Sequence, residues 1–97
     1  EKKLQQSLLS DDLTTLLNRK GLILKNNLKN NESYALLLLD IYEFKVYNQL
    51  YGTNYGDYIL KEFALFLKAF FYEEDLIARL GGDKFAVLIK YDNISQL

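Results

Sequence analysis

The sequence predicts a mixed α/β or α+β layer fold with one buried sheet. Three observations carry that expectation. YALLLLDIY, residues 34–42, is apolar on both faces and too short for a helix between its flanking turn signals, which suits a central strand. From Asp57 to Phe71 the residues Ile59, Leu60, Phe63, Phe66, Leu67 and Phe70 recur with a 3.6-residue period, the signature of an amphipathic helix. DLIARL and KFAVLIK flank Gly81 and Gly82, which tolerate the positive φ angles of a tight hairpin and so set Asp83 and Lys84 at or beside its tip.

The remaining elements follow in order. EKKLQQSLLS has Leu4 and Leu8 one helical turn apart among charged and amide residues, so residues 1–10 read as the end of a connecting helix. DDLTTLLNRKGL breaks that periodicity. Asn18 can cap a second helix running to about Asn30, where NNES ends it. Asp40 then falls at the C-terminal end of the strand, and EFKVYNQLYG reads as a short helix before the long one. YDNISQL leads away from the hairpin, and no repeat or low-complexity segment interrupts the chain.

Composition narrows the chemistry. Ninety-seven residues, 49% of them hydrophobic, form one small domain or part of a larger one. Twelve basic residues against thirteen acidic ones give no electrostatic footprint for nucleic acid or an anionic membrane. With no cysteine and no histidine, thiol chemistry, imidazole bases and ordinary zinc sites are excluded. Catalysis in this segment would rest on carboxylates, lysine, backbone amides and a hard, oxygen-liganded cation. The longest apolar run, ALLLL, is far too short to span a bilayer, and nothing resembles a signal peptide. The segment is therefore expected to be cytoplasmic without direct membrane contact, any membrane anchor belonging upstream in a longer parent.

Two carboxylates stand out. Asp40 at a strand end and Asp83 at a hairpin tip would meet if that strand pairs with the hairpin, because adjacent strands lie about 5 Å apart. Paired aspartates suit Mg²⁺, which is held by one or two carboxylates together with substrate phosphates. The alternative makes Asp40 a helix cap and Asp83 a turn residue. After Asp40, the amides of Glu43, Phe44 and Lys45 open a helix toward the same strand end and are placed to receive phosphate oxygens. Asn48 and Asp57 bracket two glycines in NQLYGTNYGD. An amide and a carboxylate together can read the edge of guanine, the carboxylate accepting from N–H groups that adenine does not present. The alternative is an Asn near a helix end and an Asp capping the next helix.

DDLTTLLNR, LLLLDIYEFKVYNQLYGTNYGD and DLIARLGGDKFAVLI resemble, in order and spacing, the GGDEF domain of diguanylate cyclases, which condense two GTP into cyclic di-GMP. The resemblance covers residues 11–97, about the N-terminal two-thirds of such a domain. It implies a ferredoxin-like, nucleotidyl-cyclase palm fold, an α+β sandwich whose central, mainly antiparallel sheet is flanked by helices. It further implies Mg²⁺ or Mn²⁺ held by Asp40, the Ile41 carbonyl and Asp83, with the amides after Asp40 on the GTP β- and γ-phosphates and Asn48 and Asp57 on guanine. Two such domains must face each other for chemistry, so the implied partner is a second copy, or another GGDEF or phosphodiesterase domain of the same parent.

The departures matter as much. Lys84 stands where active members carry a glutamate, and a positive charge beside a divalent cation turns attraction into repulsion. Lys84 marks either a site that has lost its cyclase function or a lysine recruited to hold phosphates. Tyr42 and Thr53 stand where an aspartate and a histidine are usual, and Tyr72 where the product-gripping arginine would be. Three functions follow for testing: a catalytically degenerate GTP-binding regulatory module, an active cyclase in its complete form, and a structural dimerisation module.

Overall fold

The computed structural model describes residues 8–29 and 33–92. Their elements are helix α1 (Arg19–Leu28), strand β1 (Tyr34–Asp40), helices α2 (Phe44–Tyr51) and α3 (Thr53–Phe70), and strands β2 (Leu76–Gly81) and β3 (Lys84–Lys90). The connecting helix expected over residues 1–10 lies mostly outside the described residues, as does the NNES boundary; Leu8 and Leu9 are helical.

The three strands form one antiparallel sheet in the order β1-β3-β2. The expectation that residues 34–42 form a central strand is therefore corrected among the described residues: β3 is central and β1 lies at an edge. Leu36 and Leu38 on β1 are 60% and 64% exposed, so a strand apolar on both faces need not be covered on both.

Strand alternation sends β3 side chains to two separate cores. On one face Phe85 is fully buried with Leu60, Ala64 and Leu67, the inward stripe of α3, and with Leu16. Phe63 meets Phe85 edge-on, ring centroids 4.9 Å apart. On the other face Ala78 and Ala86 pack with Leu22 of α1 and Leu76. Helices thus pack on both faces of β3, while the β1 side of the α1 face is left open at Leu36 and Leu38.

Asn18 caps α1 as expected, its side-chain oxygen accepting from the Gly21 amide at 2.8 Å. The long helix begins at Thr53, not Asp57, so Asp57 lies inside it and caps nothing. Turn-like Thr53-Asn54 and the small Gly56 hide that first turn from a periodicity count. The free edge of β2 is covered by the segment before α1: the Leu17 amide donates to the Ile77 carbonyl at 3.2 Å, and the Leu17 carbonyl accepts from the Arg79 amide at 2.8 Å.

Candidate functional site

The register of β1 on β3 sets Asp40 directly opposite Lys84, so both side chains leave the same sheet face at the same end. Gly81 and Gly82 have φ of +146° and +53°, as the hairpin reading requires, and Asp83 completes the turn. The Ile41 amide donates to the Asp83 carbonyl at 3.3 Å, tying the end of β1 to the hairpin tip. Asp40 and Asp83 are thereby brought together. Between them sits the Lys84 ammonium, its Nζ 3.2 Å from Asp40 Oδ2 and 3.9 Å from Asp83 Oδ1.

Beyond Ile41 the chain reverses at Glu43, whose φ of 53° and ψ of 34° lie in the left-handed region that few non-glycine residues enter. That residue precedes α2, so the amides of Glu43, Phe44 and Lys45 cluster close to the strand end. The Phe44 amide donates to the Ile41 carbonyl at 3.3 Å, and the Glu43 carbonyl accepts from Val46 and Tyr47.

Asn48 lies on α2, where its Nδ2 donates to the Phe44 carbonyl at 3.2 Å. Its amide group packs against buried Gly56 on α3, one residue before half-buried Asp57. A side chain at position 56 would collide with that amide. The two proposed base-reading residues therefore stand on facing helices, with the glycine keeping the gap between them narrow.

The hairpin is braced by residues that motif reading left without a role. Arg79 donates through Nε to the Gly82 carbonyl at 2.9 Å and through its guanidinium to Asp11 at 3.1 and 3.2 Å. Asp11 also accepts from the Thr14 amide at 2.9 Å and hydroxyl at 2.7 Å. Burial by itself would raise the Asp11 pKa, but the Thr14 and Arg79 hydrogen bonds and the Arg79 charge outweigh it and hold the carboxyl below its usual value. Asp75, buried before β2, accepts from the Tyr72 and Lys90 amides at 2.9 Å, which makes it a clamp on the far end of the hairpin. The available signals were the charged Asp11 and Arg79 inside otherwise apolar motif segments, but their pairing spans 68 residues.

A strand-end carboxylate facing a two-glycine hairpin, followed by a helix with an inward asparagine, is the arrangement expected of one family. Residues 8–96 match the family model described as "Diguanylate cyclase, GGDEF domain". The chain belongs to the GGDEF family. It is 37% identical over 95 residues, 92% of its length, to the bifunctional diguanylate cyclase/cyclic di-GMP phosphodiesterase MucR of Pseudomonas aeruginosa. Among solved structures, a sensory box/GGDEF family protein from Caulobacter crescentus superposes with a TM-score of 0.75 at 33% identity over 88% of this chain. The GGDEF domain of TpbB (YfiN) from Pseudomonas aeruginosa gives 0.74 at 35% identity over 90%. This GGDEF chain spans 14% of MucR, and 58% and 55% of the two solved chains. Among the described residues no helix is long and apolar enough to cross a membrane.

The donor set can be tested against the divalent cation that the family resemblance implies. Among the described residues no group of three or more carboxylate, imidazole or thiol side chains converges as a metal cage. The two carboxylates that do converge already share an ammonium, which leaves the trio with one net negative charge in place of the pair's two. As arranged, the Lys84 ammonium occupies the space between Asp40 and Asp83 beside the Ile41 carbonyl, so Mg²⁺ or Mn²⁺ would bind there only against its charge or after it had swung away.

Proposed function

We propose that this chain is a catalytically degenerate GGDEF domain that binds GTP and serves as a cytoplasmic regulatory module of cyclic di-GMP signalling. The observation that carries the proposal is Lys84: it replaces the family's glutamate and directs its ammonium at Asp40, 3.2 Å away. An ammonium can neither ligate a cation nor accept the proton of an attacking hydroxyl. The residues proposed for nucleotide binding support the other half of the reading. The amides of Glu43 and Lys45 open α2 beside the strand end, where a helix N-terminus favours phosphate oxygens, and a phosphate would draw the Phe44 amide away from the Ile41 carbonyl. Asn48 and Asp57 supply the amide and the carboxylate for guanine. Binding without turnover is the combination this supports.

The regulatory partner is a second copy of the domain, or a GGDEF or phosphodiesterase domain in the same parent, since the condensation needs two GTP sites facing each other. The bifunctional character of MucR, named as both cyclase and phosphodiesterase, supports that pairing. Residues 1–10 would then be the connecting helix that carries the signal into the domain formed by residues 11–97. Competition between GTP and ATP for the full-length protein tests the binding half: saturable GTP binding that ATP does not displace supports it. Equal displacement by both nucleotides removes the guanine site, and no binding leaves a structural dimerisation module.

A further inference from the structure

The cross-strand register puts one lysine where a divalent cation would bridge two aspartates. We infer that the Lys84 ammonium is the resident cation of the Asp40–Asp83 pair, so that half of the pair's charge is offset from within the chain and its hold on a divalent metal is weakened about tenfold. The inference rests on the reading of Asp40 and Asp83 as a cation-binding pair, but not on GTP binding.

Three features carry it. First, the placement is built into the backbone: Lys84 opens β3 as the Cα partner of Asp40, and the Ile41–Asp83 hydrogen bond fixes the turn against the end of β1. Lysine needs only its own rotamers to reach both carboxylates, 3.2 and 3.9 Å from Nζ. Second, a tethered ammonium is always present, whereas a metal must arrive from solution, displace it and then bind beside it. An ammonium about 4 Å from a divalent ion in a water-like dielectric weakens binding about thirtyfold, reduced to about tenfold by physiological salt. Third, the Lys84 and Asp40 side chains are 62% and 61% exposed. Exposed ion pairs contribute little to folding, so the lysine can be replaced without endangering the domain.

The pair thereby acquires a different chemistry. A carboxylate pair awaiting metal draws a nucleotide together with its Mg²⁺, while one half-offset by lysine presents a fixed, single net charge that does not depend on the metal supply. The inferred consequence is that ligand binding at this strand end is insensitive to chelators.

The test is Mn²⁺ binding to the full-length protein in the absence of nucleotide, followed by the loss of the free-ion electron paramagnetic resonance signal. Wild type is compared with Lys84→Met and Lys84→Glu, each measured with and without Asp40→Asn. The inference predicts that Lys84→Met and Lys84→Glu each gain one Mn²⁺ site that Asp40→Asn removes, about tenfold tighter than any site in the wild type for Lys84→Met and about a hundredfold tighter for Lys84→Glu. It is overturned if the wild type already holds an Asp40-dependent Mn²⁺ with affinity close to that of Lys84→Glu. It is equally overturned if both folded variants gain no site. Lys84→Met, uncharged and of similar length, keeps the test valid should Lys84→Glu fail to fold. GTP binding, measured separately by dialysis, divides the two claims: absent GTP binding alongside the predicted Mn²⁺ results supports the lysine assignment and overturns only the nucleotide reading.

Discussion

Replacing Gly56 with alanine separates stability from recognition. A Cβ at that position would drive into the Asn48 side-chain oxygen and lie 2.8 Å from its Cγ and 3.0 Å from its Nδ2. Carbon atoms settle at about 3.5–4.0 Å, so the amide must withdraw by about 1 Å. Everything in the way belongs to one short side chain, and rotating Asn48 aside sacrifices its hydrogen bond to the Phe44 carbonyl, worth about 1 kcal/mol. Alanine in place of glycine inside α3 returns about 1 kcal/mol through helix propensity. The two nearly cancel, so the melting temperature should move by no more than about 4–8 °C. Asn48, however, no longer points where guanine would be read. Thermal melts combined with GTP-against-ATP competition check both halves: near-native stability with selectivity lost is the expected outcome. Full selectivity in a stable Gly56→Ala protein would remove Asn48 from the guanine site. A loss of more than about 2 kcal/mol would mean instead that α2 and α3 were forced apart, as overpacking does.

Asp57→Ala should likewise abolish selectivity for GTP over ATP while leaving the fold intact, because Asp57 caps no helix; competition binding reads this directly. Asp11 gives a pH dependence whose sign follows from its lowered pKa: its contribution to stability is fully present above the ordinary value of 3.8 and is lost as pH falls through the lower folded-state value. The melting-temperature gap between wild type and Asp11→Asn should therefore be widest near neutrality and shrink below pH 3.8. A gap that persists unchanged in acid would contradict the Arg79–Asp11 brace as an ionic one.

The legible parts of this chain were those coded by neighbours in sequence. Two glycines between apolar runs define the hairpin because few other residues accept positive φ, and Asn18 reveals the start of α1 because a side-chain acceptor is what an open helix end lacks. Non-local partners were harder to read. Leu36 to Leu39 are apolar whether β1 is central or at an edge, since the run records the side-chain types and not which strands flank it. The first turn of α3 carries no apolar stripe, so its start could not be seen from periodicity. The Arg79–Asp11 brace closes over a distance in sequence that no local pattern reports. At the site, the approach of Asp40 to Asp83 followed from the strand and hairpin assignments, and the family motifs drew attention to Lys84. That its ammonium reaches both carboxylates depends on the register, which only the paired strands reveal.

The central claim, binding without turnover, is tested most directly by incubating the full-length protein with labelled GTP and Mg²⁺ and resolving bound nucleotide from product by chromatography. The account predicts saturable GTP recovered unchanged and no cyclic di-GMP above background, whereas steady formation of cyclic di-GMP by the unmodified protein would contradict it.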